Sequence, residues 1–221
     1  MSGIRLSMRV WDLPTRLFHW LLVLLVCISW YTGENGPLRL HFLSGYAIFT
    51  LLLFRIGWGF FGSDTARFSR FLKSPRLALR HLASLTRRHA DTEIGHNAAG
   101  GWMVLLLLLL LAAQVGTGLF GRTDFTDAPF AYLIGGAASE KVTEIHEWLF
   151  TLIEIAVLVH VLAIILYAVI ARQDLVRPMI TGKKRLPAAM RAPRMASAAA
   201  ALGWLVICVL VVGALITFAG R

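Results

Sequence analysis

The sequence predicts an all-α integral membrane protein, and three observations carry that expectation. Of its 221 residues 57% are apolar and only 15% charged, with a mean hydropathy of +0.70, well outside the range of an ordinary soluble domain. The apolar residues gather into five stretches, at 16–32, 40–61, 100–120, 145–171 and 198–218. Each is long enough, with tilt, to cross a hydrocarbon layer of roughly 30 Å at about 1.5 Å per residue. The basic residues avoid these stretches and crowd into alternate connections. The expected architecture is a four-helix transmembrane bundle with a fifth, C-terminal transmembrane helix, and no second soluble domain.

Taken in order, the N-terminal segment carries Arg5 and Arg9 before the first span, with no small-residue cleavage site after it, so this span reads as a retained helix rather than a removed signal. The first connection, Thr32 to Arg39, is short. After the second span, Gly62 to Ala99 mixes Phe68, Phe71, Leu72, Leu77, Leu79, Leu82 and Leu85 with basic residues. Pro75 is suited to open a helix there. Two readings stand for this segment, an amphipathic helix on the cytoplasmic membrane face or a solvated basic loop. The third and fourth spans are joined by Gly121 to Thr143, and residues 181–197, with Gly182, Pro187 and Pro193, read as a linker to the fifth span. The division expected is a membrane domain over residues 1–186, with the linker and additional helix over 187–221.

Orientation follows from charge. Seventeen of the 22 Lys and Arg residues lie in Met1 to Arg16, Gly62 to Ala99 and Arg172 to Arg194. The other two connections hold only Arg39, Arg122 and Lys141, beside Glu34, Asp124, Asp127 and Glu140. By the positive-inside rule the N-terminus is cytoplasmic and Arg221 lies outside. The net charge of +10 is thus a matter of topology and lipid contact, and no nucleic-acid partner is expected. Cys27 and Cys208 lie inside apolar runs without a CxxC pair, so neither a disulfide framework nor covalent haem attachment is available. Trp11, Trp20, Trp30, Tyr31, Trp58, Trp102 and Trp148 at span ends suit either an interfacial belt or internal packing.

Of seven histidines, His81 and His89 fall in the basic cytoplasmic segment and read as solvated. The others lie in or beside spans, where ionisable groups are costly and mark function by default. His146 and His160 are fourteen residues apart, so at about 100° per residue they face nearly the same way and at about 1.5 Å rise they stand roughly 21 Å apart. His19 stands at the cytoplasmic end of the first span and His41 at the outer start of the second. Depth pairs His41 with His146 outside and His19 with His160 inside, and each pair suffices for the two axial ligands of a haem iron. Zinc would instead ask for three or four ligands in one cluster.

Arg55, fourteen residues after His41, points along the same face at the inner depth. It suits either a haem propionate or, by snorkelling, the headgroups. His96 and Asn97, at the start of the third span, are candidate hydrogen-bond partners for the same propionates. Gly45, Gly116 and Gly118 suit the close approach of a flat macrocycle. Glu144 and Glu147 flank His146, as supports for its ring or as solvated groups. Glu154, midway between the two depths, is either a neutral carboxyl at a helix contact or a proton relay.

Four stretches carry a family resemblance: VWDLPTRLFHW from Val10 to Trp20, LFRIGWGFFGSDTARFSRF from Leu53 to Phe71, GHNAAGGWMVLLLL from Gly95 to Leu108, and EIHEWL with a histidine downstream. Over about residues 8–186 the chain resembles the bacterial cytochrome b561 and nickel-iron hydrogenase b-type cytochrome family. The resemblance implies two non-covalent, bis-histidine haem b groups in a four-helix core, in the bacterial cytoplasmic membrane. It further implies electron exchange with a quinone and with a periplasmic protein such as a hydrogenase or c-type cytochrome. One branch resembles superoxide:quinone oxidoreductase, an enzyme acting alone. An anionic substrate would want a cationic outer surface, and the acidic outer connections favour the electron-transfer subunit over the enzyme. Glu154 stands where the family pattern leads one to expect an apolar residue.

Overall fold

The computed structural model describes residues 4–83, 92–124 and 126–219. It is all-α in character, 72% helical, with five helices long and apolar enough to cross a membrane. These are α1 (Leu13–Asn35), α2 (Leu38–Phe61), α5 (Ala98–Gly118), α6 (Gly136–Val169) and α8 (Ala198–Ala219). Three short helices, α3 (Phe68–Phe71), α4 (Pro75–Ala83) and α7 (Val176–Thr181), and two strands, β1 (Arg5–Arg9) and β2 (Lys183–Pro187), complete the described elements.

The chain divides into two compact units. The first draws on residues 1–19, 55–105 and 158–202, the second on 20–54, 106–157 and 203–221. In the first unit Asp12 caps α1, its Oδ1 accepting the Thr15 N–H at 2.7 Å, while its Oδ2 accepts from Trp58 Nε1 at 3.0 Å. A carboxylate that is 2% exposed is tolerable only because both oxygens are engaged. Trp11 and Trp58, at 6% and 0% exposure, are therefore packing residues rather than members of an interfacial belt.

Also in this unit, β1 and β2 form an antiparallel ribbon with Arg5 opposite Pro187 and Arg9 opposite Lys183. Gly182 O accepts the Val10 and Trp11 N–H groups at 2.8 and 3.2 Å. Val10, Trp11 and Leu186 pack into a small core with Met8, Ile94, Met179 and Met190. Part of the expected linker is thus a strand, and a later part is docked: Arg194 N donates to Asp64 Oδ2 at 3.0 Å and Ala196 N to Ser63 Oγ at 2.9 Å. Pro75 does open α4, whose Leu77, Leu79 and Leu82 are exposed, the arrangement of an amphipathic surface helix. His81, expected to be solvated, stacks on Tyr167 with ring centres 6.1 Å apart. His89 and Leu85 lie outside the described residues.

In the second unit α6 starts at Gly136, nine residues before the apolar run at 145 that marks its span. Its first turns are polar, so hydropathy does not register them, and they are fixed by hydrogen bonds instead. The fully buried Ser139 hydroxyl donates to Ala131 O at 3.0 Å, and Thr143 Oγ1 donates to Arg122 O at 2.9 Å and accepts from Arg122 N at 2.8 Å. α8 is joined to α2 through Trp204 Nε1, which donates to Phe54 O at 3.1 Å.

Replacing Asp12 with Ala removes a cap and strands the Trp58 N–H, a combined cost of about 2–4 kcal/mol. Thermal unfolding in detergent will show a lowered midpoint for Asp12→Ala and a smaller loss for Asp12→Asn, which still accepts from Thr15.

Candidate functional site

The site in the second unit is built on two imidazoles. His41 enters in the first turns of α2, where Pro37 and Gly36 have just broken the chain from α1, and His146 sits one-third of the way along α6. Their ring centres are 6.1 Å apart at 79°. His41 Nδ1 lies 2.8 Å from Ser29 O, and His146 Nδ1 lies 2.9 Å from Gln114 O and 3.1 Å from Thr117 Oγ1. A carbonyl only accepts, so each Nδ1 carries the proton and each Nε2 presents its lone pair. His146 Nε2 takes a hydrogen bond from the Gln114 amide at 3.0 Å, a contact that gives way if a metal binds there.

Two glycines permit this closeness. A Cβ on Gly33 would stand 3.1 Å from His41 Nδ1, and one on Gly118 would stand 2.9 Å from His146 Cε1. Gly45 and Gly116 have nothing within 4 Å of the corresponding position; Gly45 lines open space rather than a packed contact. That space is a cavity of about 670 Å³, bordered by His41, His146, Gln114, Tyr46, Glu147 and Glu154 among others, within the size range of cofactor pockets. Glu144 pairs with Lys141, so the supports of the His146 ring are Gln114 and Thr117 rather than the flanking acids.

In the first unit Arg55 is 2% exposed and does not snorkel. Its guanidinium carbon lies 5.2 Å from the Phe68 ring centre and 5.7 Å from that of Phe71. Gly59, one turn on from Arg55, makes room, since a Cβ there would stand 2.1 Å from Phe68 Cε2. Among the described residues neither Nη of Arg55 has a hydrogen-bond partner and no carboxylate forms an ion pair with it. A buried cation without an anion is costly.

His96 packs between Trp11 and Phe71, ring centres 4.7 and 4.8 Å away. Burial, then the positive fields of Arg55, His160 and His19, lowers its pKa to about 3, so it is neutral. Its Nδ1 is buried without a partner among the described residues. Asn97 Oδ1 accepts the Gly100 N–H at 2.7 Å and caps α5, so anything Asn97 gives an anion must come from its amide nitrogen.

These observations fit a haem. Two imidazole–metal bonds of about 2 Å, with about 1 Å from each nitrogen to its ring centre, give roughly the spacing seen between His41 and His146. The Nδ1-protonated form is the one that leaves Nε2 available to a metal, and the buried Arg55 guanidinium suits an anion such as a propionate. Among the described residues no three His, Cys, Asp or Glu side chains gather as a metal-binding group. Ser29, Gly33, Gln114 and Thr117 are the members of the site that sequence reasoning missed; Gln114, an amide inside an apolar span, is the one with a visible signal.

The sequence model of prokaryotic cytochrome b561 matches residues 10–182, which leaves α8 outside the match. No curated protein and no solved structure matches the chain.

Gly118→Ala forces the His146 ring to move and will alter or abolish binding at this site, read as a changed haem spectrum. Gly203→Ala, with nothing within 4 Å, will leave it unchanged. For His96 the folded pKa is depressed below its unfolded value of about 6.5, so its contribution to stability is present above that pH and is lost as pH falls toward 3. Replacing His96 with Phe will flatten the decline of thermal stability between pH 6.5 and 4.

Proposed function

Because the chain belongs to the prokaryotic cytochrome b561 family, whose members bind b-type haem in the membrane and transfer electrons, we propose that it is a di-haem cytochrome linking a quinone pool to a periplasmic redox partner. A c-type cytochrome or a hydrogenase-like protein suits that role. The observation that carries the reading is the pair of imidazoles from α2 and α6, facing at 6.1 Å with both Nδ1 protons committed to backbone carbonyls.

His41 and His146 would hold one haem and His19 and His160 the other, with Arg55, His96 and Asn97 toward the propionates of the second. A haem iron held by these histidines would supply a reversible one-electron change. The chain's own residues do the rest. Ser29 and Gln114 fix ring orientation, Arg55 compensates propionate charge, and Val26, Ile48, Leu111 and Ile153 line the outer cavity with apolar surface that keeps bulk water from the redox centre. The count of two is supported by the spacing of fourteen residues from His146 to His160 along one helix, a rise of about 21 Å.

The distribution of basic residues supports a cytoplasmic N-terminus and a periplasmic C-terminus. On that topology the acidic outer connections are available to a docking partner. Residues 1–186 would form the haem domain, and 187–221 the linker and additional helix. The superoxide:quinone oxidoreductase reading is less well supported, because Arg122 is paired with Asp127 at 2.9 Å and Lys141 with Glu144, leaving little field to attract an anion.

Reduced-minus-oxidised spectra of the purified protein should give a haem-to-protein ratio near two with negligible superoxide consumption. His160→Ala should lower the ratio to about one while the His41–His146 centre survives, since the pairs share a helix but no ligand. A full complement in that variant would refute the pairing.

A further inference from the structure

We propose that Glu154 is the proton acceptor coupled to the redox centre held by His41 and His146, an inference that rests on the haem reading above. Glu154 is the only acid in α6 beyond Trp148, deep in a run where an ionised carboxylate is disfavoured unless something compensates it. Its side chain is exposed rather than packed in a helix contact. It borders the same cavity as the two imidazoles, and among the described residues it has neither hydrogen bond nor ion pair. Glu147 and Thr151, seven and three residues earlier, share its helix face and border the cavity too, a polar track from the outer end of α6.

The titratable groups facing the cavity are Glu34 from α1, His41 and Tyr46 from α2, Arg122 from the α5–α6 connection, and His146 and Glu147 on α6. Arg122 is held by Asp127, and the imidazoles serve as neutral ligands. Among the described residues no cation is therefore dedicated to Glu154, and reduction of the centre would add one negative charge to the same cavity. When an external one-electron donor supplies that charge, Glu154 binds one proton from the outer aqueous phase; on reoxidation electron and proton both leave.

The test uses the purified holoprotein, potentiometric titrations at several pH values with dithionite as reductant, and reduced-minus-oxidised infrared spectra. The haem that disappears in His146→Ala should show a midpoint that falls as pH rises. A protonated carboxyl band should appear on reduction. Both should be lost in Glu154→Gln and kept in Glu140→Gln. Glu154→Asp should keep the pH dependence and shift the band, a readout that stands if the Gln variant does not assemble. A pH-independent midpoint in the native protein, an unshifted band in Glu154→Asp, or an unchanged slope in Glu154→Gln overturns the role of Glu154 with the haem reading intact. Retention of both haems in His146→Ala overturns the two together.

Discussion

An imidazole inside a membrane helix has one N–H that must find an acceptor, and in the second unit that requirement organises everything else. His41 and His146 meet it with the carbonyls of Ser29 and Gln114, on the two helices that flank them. Because both acceptors are main-chain atoms, the ring planes inherit the rigidity of α1 and α5 rather than the freedom of side chains. The same bonds choose the tautomer. On the reading of these rings as haem ligands, satisfying the hydrogen bond also prepares the ligand, and Gly33 and Gly118 are needed because a ring that reaches a helical carbonyl must lie against the backbone itself.

The first unit solves the opposite problem. There a positive charge, Arg55, is buried under Phe68 and Phe71 with no anion from the described residues. Two aromatic faces offset part of its desolvation, yet they do not replace a carboxylate. Asp12, the nearby buried acid, is already spoken for by Thr15 and Trp58. The arrangement is coherent for a protein that folds around an anionic guest, and the neutral His96 beside it adds no competing charge.

Much of this was legible in the sequence because a membrane leaves few options. Hydropathy located all five spans, since each is a predominantly apolar run, and the spacing of His41, Arg55, His146 and His160 located polar groups on helix faces. What escaped notice shares a cause. The polar start of α6, the ribbon of β1 with β2 and the docking of Arg194 and Ala196 depend on hydrogen bonds between distant residues, which leave no periodic trace. Ser29 and Thr117 look like ordinary packing residues until a ring is placed against them. The capping role of Asn97 also went unseen, because it depends on Gly100 N, a main-chain atom that no side-chain pattern displays.

The ribbon also bears on how such a molecule is made. Arg5 to Arg9 are made before their partners, Lys183 to Pro187, which follow four apolar segments along the chain. Until then Val10 and Trp11 lack the neighbour, Leu186, that completes their small core, and closing so long a loop is slow. The clasp therefore closes late in the making of the chain, once residues 183–187 have followed the fourth apolar segment.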